Sequence, residues 1–230
     1  MRLLVSVIDA AEASLAVAGG VDIVDVKNPA EGSLGAPAPG VIEEVRREVP
    51  AELPVSVALG DLPALPGTAA LAAVGAARCG AAYVKVGLWG ASTEDEAVAM
   101  LRAALDGGVP VVAGAYADAE RVETRPLDPR ALVSAAQRAG VAGCLLDTAV
   151  KDGRGLLDWR GPDALAALVA EAHAAGLEVA LAGALRAEDL PVIRDTGADI
   201  AGVRSAACRD GRRTAAIDPG RIARLRELCG

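Results

Sequence analysis

The chain has 230 residues, 53% hydrophobic and 23% charged, which is ample material for a packed core and unlike a disordered segment. There are 23 Lys+Arg against 31 Asp+Glu, a formal net charge of −8, and aromatics make up 2% with no Phe. An acidic chain without stacking side chains excludes nucleic acid and anionic membrane surfaces as expected partners.

Short β-branched runs alternate with Ala/Leu-rich amphipathic stretches from end to end. In chain order the pattern predicts a strand over Arg2–Val7 and a helix over Asp9–Ala18, then Asp22–Lys27 and Val41–Glu48, and Leu53–Ala58 and Thr68–Cys79. It continues with Ala82–Val86 and Glu94–Leu105, Pro110–Gly114 and Pro129–Ala139, and Ala142–Asp147 and Pro162–Ala175. Glu178–Leu181 with Ala187–Asp195, and Asp199–Val203 with Pro219–Leu228, complete the set. Pro129, Pro162 and Pro219 each follow Asp or Gly and stand where a first helical residue would. Eight such pairs in one chain predict a single α/β domain over residues 1–230, a (β/α)8 TIM barrel. A Rossmann sheet would need a glycine-rich turn after the first strand, where the chain reads Val7-Ile8-Asp9.

The longest uncharged stretch, Leu62–Ala77, is 16 residues and is broken by Pro63, Pro66 and Gly67, too short to span a bilayer. Asp9 and Glu12 interrupt the apolar N-terminus, so it does not read as a secretion signal. Cys79, Cys144, Cys208 and Cys229 are scattered without metal-ligand spacing. They read as buried free thiols in a reducing cytoplasm, and no metal or other cofactor is expected. Ala-rich helices with few charges, such as Thr68–Cys79, would permit packing into a homo-oligomer.

In a TIM barrel the active site lies at the C-terminal ends of the strands. Of 23 basic residues only Lys27, Lys85 and Lys151 are lysines, and all three fall in or just after strands. Arginine replaces lysine freely on a surface but cannot form an imine. Strand alternation puts Asp25 and Lys27 on the lumen side, opposite the apolar Val24 and Val26, and gives Lys85 the lumen side of the fourth strand. Lysines sharing one polar layer would lower one another's pKa, as a Schiff-base lysine requires. The bland reading of Asp25 with Lys27 is a structural ion pair.

Asp147 ends the sixth strand as a candidate acid/base. Lys151, in the loop beyond it, is a candidate proton donor or phosphate ligand. Gly183 after the seventh strand, and Gly202, Arg204 and Ser205 around the end of the eighth, occupy the positions that bind phosphate in many barrels. Tyr116 and Asp118 are weaker candidates for the wall of the site. His173, on the sixth helix, reads as a surface residue. The long connection Asn28–Gly35 reads as a substrate loop or lid.

The stretches Asp25-Val26-Lys27-Asn28-Pro29-Ala30-Glu31-Gly32-Ser33-Leu34-Gly35-Ala36, Tyr83-Val84-Lys85-Val86-Gly87-Leu88, Leu146–Gly153 and Gly202–Cys208 resemble the (5-formylfuran-3-yl)methyl phosphate synthases of methanofuran biosynthesis. The resemblance runs from Met1 to about Cys229. It implies a (β/α)8 barrel that condenses two molecules of glyceraldehyde 3-phosphate, with loss of phosphate and water. It implies Lys27 as the Schiff-base lysine and Lys85 as proton acceptor, with Asp25, Asp147 and Lys151 in supporting acid/base roles. Two other readings of the residues stay open: another class I aldolase or isomerase acting on a sugar phosphate, and a non-catalytic barrel that binds a phosphoester.

Overall fold

The computed structural model describes the whole chain, Met1–Gly230. Eight strands and eight helices alternate: β1 (Arg2–Val7), α1 (Ala10–Ala18), β2 (Ile23–Val26), α2 (Pro39–Glu48), β3 (Val55–Pro63), α3 (Pro66–Arg78), β4 (Tyr83–Gly90) and α4 (Glu94–Ala104). The second half comprises β5 (Val111–Tyr116), α5 (Leu132–Ala139), β6 (Gly143–Asp147), α6 (Pro162–Ala174), β7 (Glu178–Leu181), α7 (Leu190–Asp195), β8 (Ile200–Val203) and α8 (Pro219–Cys229). All strands pair in parallel in sequence order, and β8 returns to β1, with Leu4 opposite Gly202. The expected TIM barrel is the fold.

The pattern that places the site is the period-2 alternation. Val24 and Val26 of β2 turn outward into the main core between sheet and helices. Register then aligns the inward residues. Ser6 of β1 stands opposite Asp25 of β2, and Asp25 opposite Ser56 of β3. Lys85 of β4 stands opposite Ala58. Three neighbouring strands and β4 thus contribute one polar patch to the lumen.

Helix starts follow the local chemistry. The Asp9 carboxylate accepts from the Glu12 amide at 2.8 Å, and Thr93 and Glu96 form a reciprocal cap on α4. Pro162 and Pro219 occupy the first turns of α6 and α8, as predicted. Pro129 instead opens a 3-10 turn, Pro129–Ala131, that leads into α5. Cys144, Cys208 and Cys229 are buried free thiols, whereas Cys79, at the end of α3, is only half-buried.

The largest departure from the sequence pattern is in β3 and β4, which run on to Pro63 and Gly90 rather than ending at Ala58 and Val86. They continue as a ribbon beyond the rim, pairing Pro63 with Gly90, with a register shift between Ala58 and Asp61. Gly60 sits in that shift at φ +110°, a conformation that a side chain would strain. The shift brings the Asp61 carboxylate to the backbone of the loop after β2.

Candidate active site

A cavity of about 200 Å³ opens at the C-terminal mouth of the barrel, and the nine residues given catalytic or phosphate-binding roles from the sequence all line it. Lys27, just past β2, is 8% exposed, and its Nζ donates to the Ser33 carbonyl at 3.2 Å. Burial pushes its ammonium down to about 8, with Asp147 and Asp25 pulling the other way and Lys151 and Lys85 adding to the drop. Lys27 makes no carboxylate contact, whereas the other two lysines do.

Lys85 forms an ion pair with Asp25. The Asp25 carboxylate also accepts from Ser6 Oγ at 2.9 Å and Ser56 Oγ at 2.6 Å. Burial alone would raise Asp25, but Lys85, Lys27 and the Ser56 hydroxyl leave it below the usual carboxylate range. The sequence pattern offered an Asp25–Lys27 pair as the bland alternative. The register excludes it, because the carboxylate is taken by Lys85, and Lys27 is left without a neutralising contact.

The Lys151 ammonium folds back to donate to Asp147 Oδ1 at 2.9 Å, to the Thr148 carbonyl at 2.6 Å and to Thr148 Oγ1 at 3.0 Å. Burial pushes Asp147 up, but Lys151, Lys27 and the Thr148 amide outweigh it and hold the carboxyl at about 2. Asp147 is therefore an anion throughout the neutral range, and any proton this pair donates comes from Lys151.

At the β7 end, Gly183 has φ +113°, and a methyl group on its Cα would stand 2.9 Å from Thr148 Cγ2, so the backbone can pass here only without a side chain. Ala184 follows at φ +48°. The amides of Gly183 and Ala184 have no acceptor within the chain, and both residues line the cavity. Gly202 and Ser205 face the same cavity from β8.

Arg204 departs from its expected role. Its guanidinium donates to Glu12 at 2.8 and 3.3 Å, to the Ser6 carbonyl at 2.9 Å and to the Arg213 carbonyl at 2.9 Å. Both partners of the Arg204–Glu12 pair are buried. Arg204 touches the cavity wall, but four of its five N–H donors tie β8 to β1, to α1 and to the loop after β8.

Residues 3–226 match the sequence model of a family described as 4-HFC-P synthase. The chain belongs to this family. It is 47% identical over its whole length, and over the whole of the relative, to the (5-formylfuran-3-yl)methyl phosphate synthase of Methanocaldococcus jannaschii. It is 49% identical to that of Methanopyrus kandleri, over 92% of this chain and 91% of the relative. Among solved structures, 3-hexulose-6-phosphate synthase from Salmonella typhimurium superposes with a TM-score of 0.69 at 19% identity, covering 100% of this chain and 98% of that one. That likeness concerns the barrel alone.

Around this synthase-family site lie supporting groups, among which sequence reasoning passed over Asp61 and the role of Ser33. Asp61 Oδ2 accepts from the Ser33 and Leu34 amides at 2.9 and 3.3 Å, and its Oδ1 pairs with the Tyr116 hydroxyl. Burial raises Asp61 and, with Asp61 beside it, lifts the Tyr116 phenol well above its ordinary value. Ser33 Oγ donates to the Thr148 carbonyl at 2.8 Å. The loop after β2 is thereby fastened to β3, where Tyr116 of β5 holds the same Asp61, and to the loop after β6, and its Ser33 carbonyl is aimed at Lys27. Asp118 accepts from the Ala149 and Val150 amides at 2.6 and 2.9 Å, supporting the Lys151 loop from outside the cavity. Tyr116 and Asp118 thus brace the walls rather than line them. His173, expected at the surface, pairs with Asp199 at 2.9 Å on the barrel's outside.

The other omission is Arg213, which enters the mouth from the loop after β8 and donates to the Gly32 carbonyl at 3.1 Å. Nothing periodic marks that loop in the sequence. It is closed by the Cys208–Ile217 bridge and by Arg209 N to Ala216 O at 2.9 Å.

Proposed function

We propose that this protein is an enzyme that makes (5-formylfuran-3-yl)methyl phosphate from two molecules of glyceraldehyde 3-phosphate, with loss of phosphate and water, through an imine on Lys27. The observation that carries the reading is the state of the Lys27 amine. It is buried at a cavity mouth, has no carboxylate partner and titrates at about 8. Roughly a tenth of it is then uncharged at pH 7, against far less than a hundredth for an ordinary lysine. The family membership favours the furan product over other sugar-phosphate aldol chemistry.

The uncharged Lys27 amine attacks the carbonyl of one triose phosphate, giving a carbinolamine. The Lys85 ammonium, held by Asp25, protonates the departing hydroxyl, which leaves as water as the iminium forms. Lys85 is then a neutral amine and accepts the proton from the carbon beside the iminium, giving an enamine. The enamine expels phosphate from its third carbon, which, as the end of an enol, attacks the keto carbon of the second triose, present as its ketose isomer. The free terminal hydroxyl of that triose then closes the ring with loss of two waters. Lys151, positioned by Asp147 and Thr148, protonates oxygens that depart in the later eliminations, and water returns the product aldehyde and free Lys27. The free amides of Gly183 and Ala184 supply donors for a phosphate and so fix the carbon chain for each proton transfer.

Borohydride reduction in the presence of glyceraldehyde 3-phosphate tests the covalent step. We expect a mass increase on the peptide carrying Lys27, and none in Lys27→Arg, where charge is kept and imine chemistry lost. The same substrate incubated alone with the protein should develop a furan ultraviolet chromophore. Reduction that leaves Lys27 unlabelled refutes the imine; labelling without the chromophore points to another Schiff-base aldolase.

A further inference from the structure

Five basic side chains line the mouth: Lys27, Lys85, Lys151, Arg204 and Arg213. Three are neutralised by contact, Lys85 by Asp25, Lys151 by Asp147 and Arg204 by Glu12. Lys27 is committed to the carbonyl. Arg213 alone remains, a half-buried guanidinium with no ion pair and one hydrogen bond, to the Gly32 carbonyl, so most of its fork is unused. Burial lowers its pKa, with Asp147 and Asp61 opposing and Arg204 reinforcing. A guanidinium held out of water without a counter-ion is costly, and a bound anion relieves that cost.

The position of Arg213 is built. The buried Arg204 Nε holds the Arg213 carbonyl at 2.9 Å, anchoring the loop that presents the side chain. From there the guanidinium crosses to Gly32, one residue before the Ser33 carbonyl that receives Lys27.

We infer that Arg213 is the side chain that binds the phosphate of the substrate, a phosphomonoester dianion, in the place the sequence pattern gave to Arg204. The triose identity of that ester rests on the function proposed above; the anion site itself does not. Arg204 serves as the buried strut that positions the Arg213 loop. Because Arg213 also touches the loop carrying Ser33, an ester gripped here is fixed relative to the amine that attacks its carbonyl.

Calorimetric titration of the full chain with inorganic phosphate tests the site. The wild-type protein should bind phosphate, Arg213→Ala should weaken binding at least tenfold, and Arg213→Lys should recover part of the loss. Arg212→Ala is the control. Its side chain is 74% exposed and outside the cavity, and binding should stay within twofold. Absence of binding to the wild type, unchanged binding by Arg213→Ala, or an equal loss in Arg212→Ala overturns the proposal. Borohydride trapping then separates phosphate recognition from loop packing. Arg213→Ala should raise the half-saturating glyceraldehyde 3-phosphate at least tenfold while leaving that of unphosphorylated glyceraldehyde within twofold. Equal losses for both sugars overturn the phosphate role. If the wild type is never trapped at Lys27, the imine fails, while the phosphate titration still decides Arg213.

Discussion

Replacing Lys27 by Met should make the protein inactive and more stable. The unfolded chain holds the Lys27 proton up to the ordinary value of 10.5, whereas the folded protein releases it at about 8. At about 1.36 kcal/mol per pH unit, keeping that ammonium charged in the mouth costs the fold about 3 kcal/mol below pH 8. Met has a similar volume and no charge. It forfeits only the Ser33 hydrogen bond, worth about 1 kcal/mol, so the net gain at pH 7 is about 2 kcal/mol. The sign with pH follows from proton counts. Between about 8 and 10.5 the unfolded state binds more protons at this residue, so the wild type gains stability as pH rises through that window and Lys27→Met does not. Urea unfolding at pH 7 and pH 10 reads the difference between the two proteins. The advantage of Lys27→Met should fade or disappear by pH 10. A gap that is the same at both pH values, or a wild type that is the more stable at pH 7, would refute the claim that this lysine is buried against its charge.

Two further substitutions separate support from chemistry. Arg204→Met leaves Glu12 buried without its partner, so the fold should lose about 3–5 kcal/mol in chemical denaturation. Glu12→Gln/Arg204→Met should recover a substantial part of that loss; a phosphate-binding defect without destabilisation would contradict the strut assignment. Asp61→Asn removes one acceptor from the Ser33 and Leu34 amides or from Tyr116, and should cost about 1–3 kcal/mol. It should also speed proteolysis within residues 28–36 and lower kcat more than it raises KM, because the Ser33 carbonyl then wanders from Lys27; unchanged cleavage and kcat would sink the brace.

How much of this was legible in the sequence depends on the range of the interaction. The alternation of Ile23, Val24, Asp25, Val26 and Lys27 is local, and it gave the lumen side of β2 and the mouth position of the lysine. Helix starts at Pro162 and Pro219 were equally local, since a missing N–H and a preset φ need no tertiary partner. The pairing within the polar patch was not local. That Asp25 meets Lys85 depends on the register of β2, β3 and β4, which the barrel's closure sets and no single strand encodes. Arg204 shows the same limit more sharply. Its place at the end of β8 was readable, but its partner Glu12 lies 192 residues away and becomes a neighbour only because β8 closes on β1. A basic residue at a strand top looks the same in sequence whether it awaits a substrate or already has a counter-ion. The distinction between Arg204 and Arg213 is therefore one of charge accounting in the closed barrel: the side chain with the expected position is neutralised, and the one from the irregular loop is not.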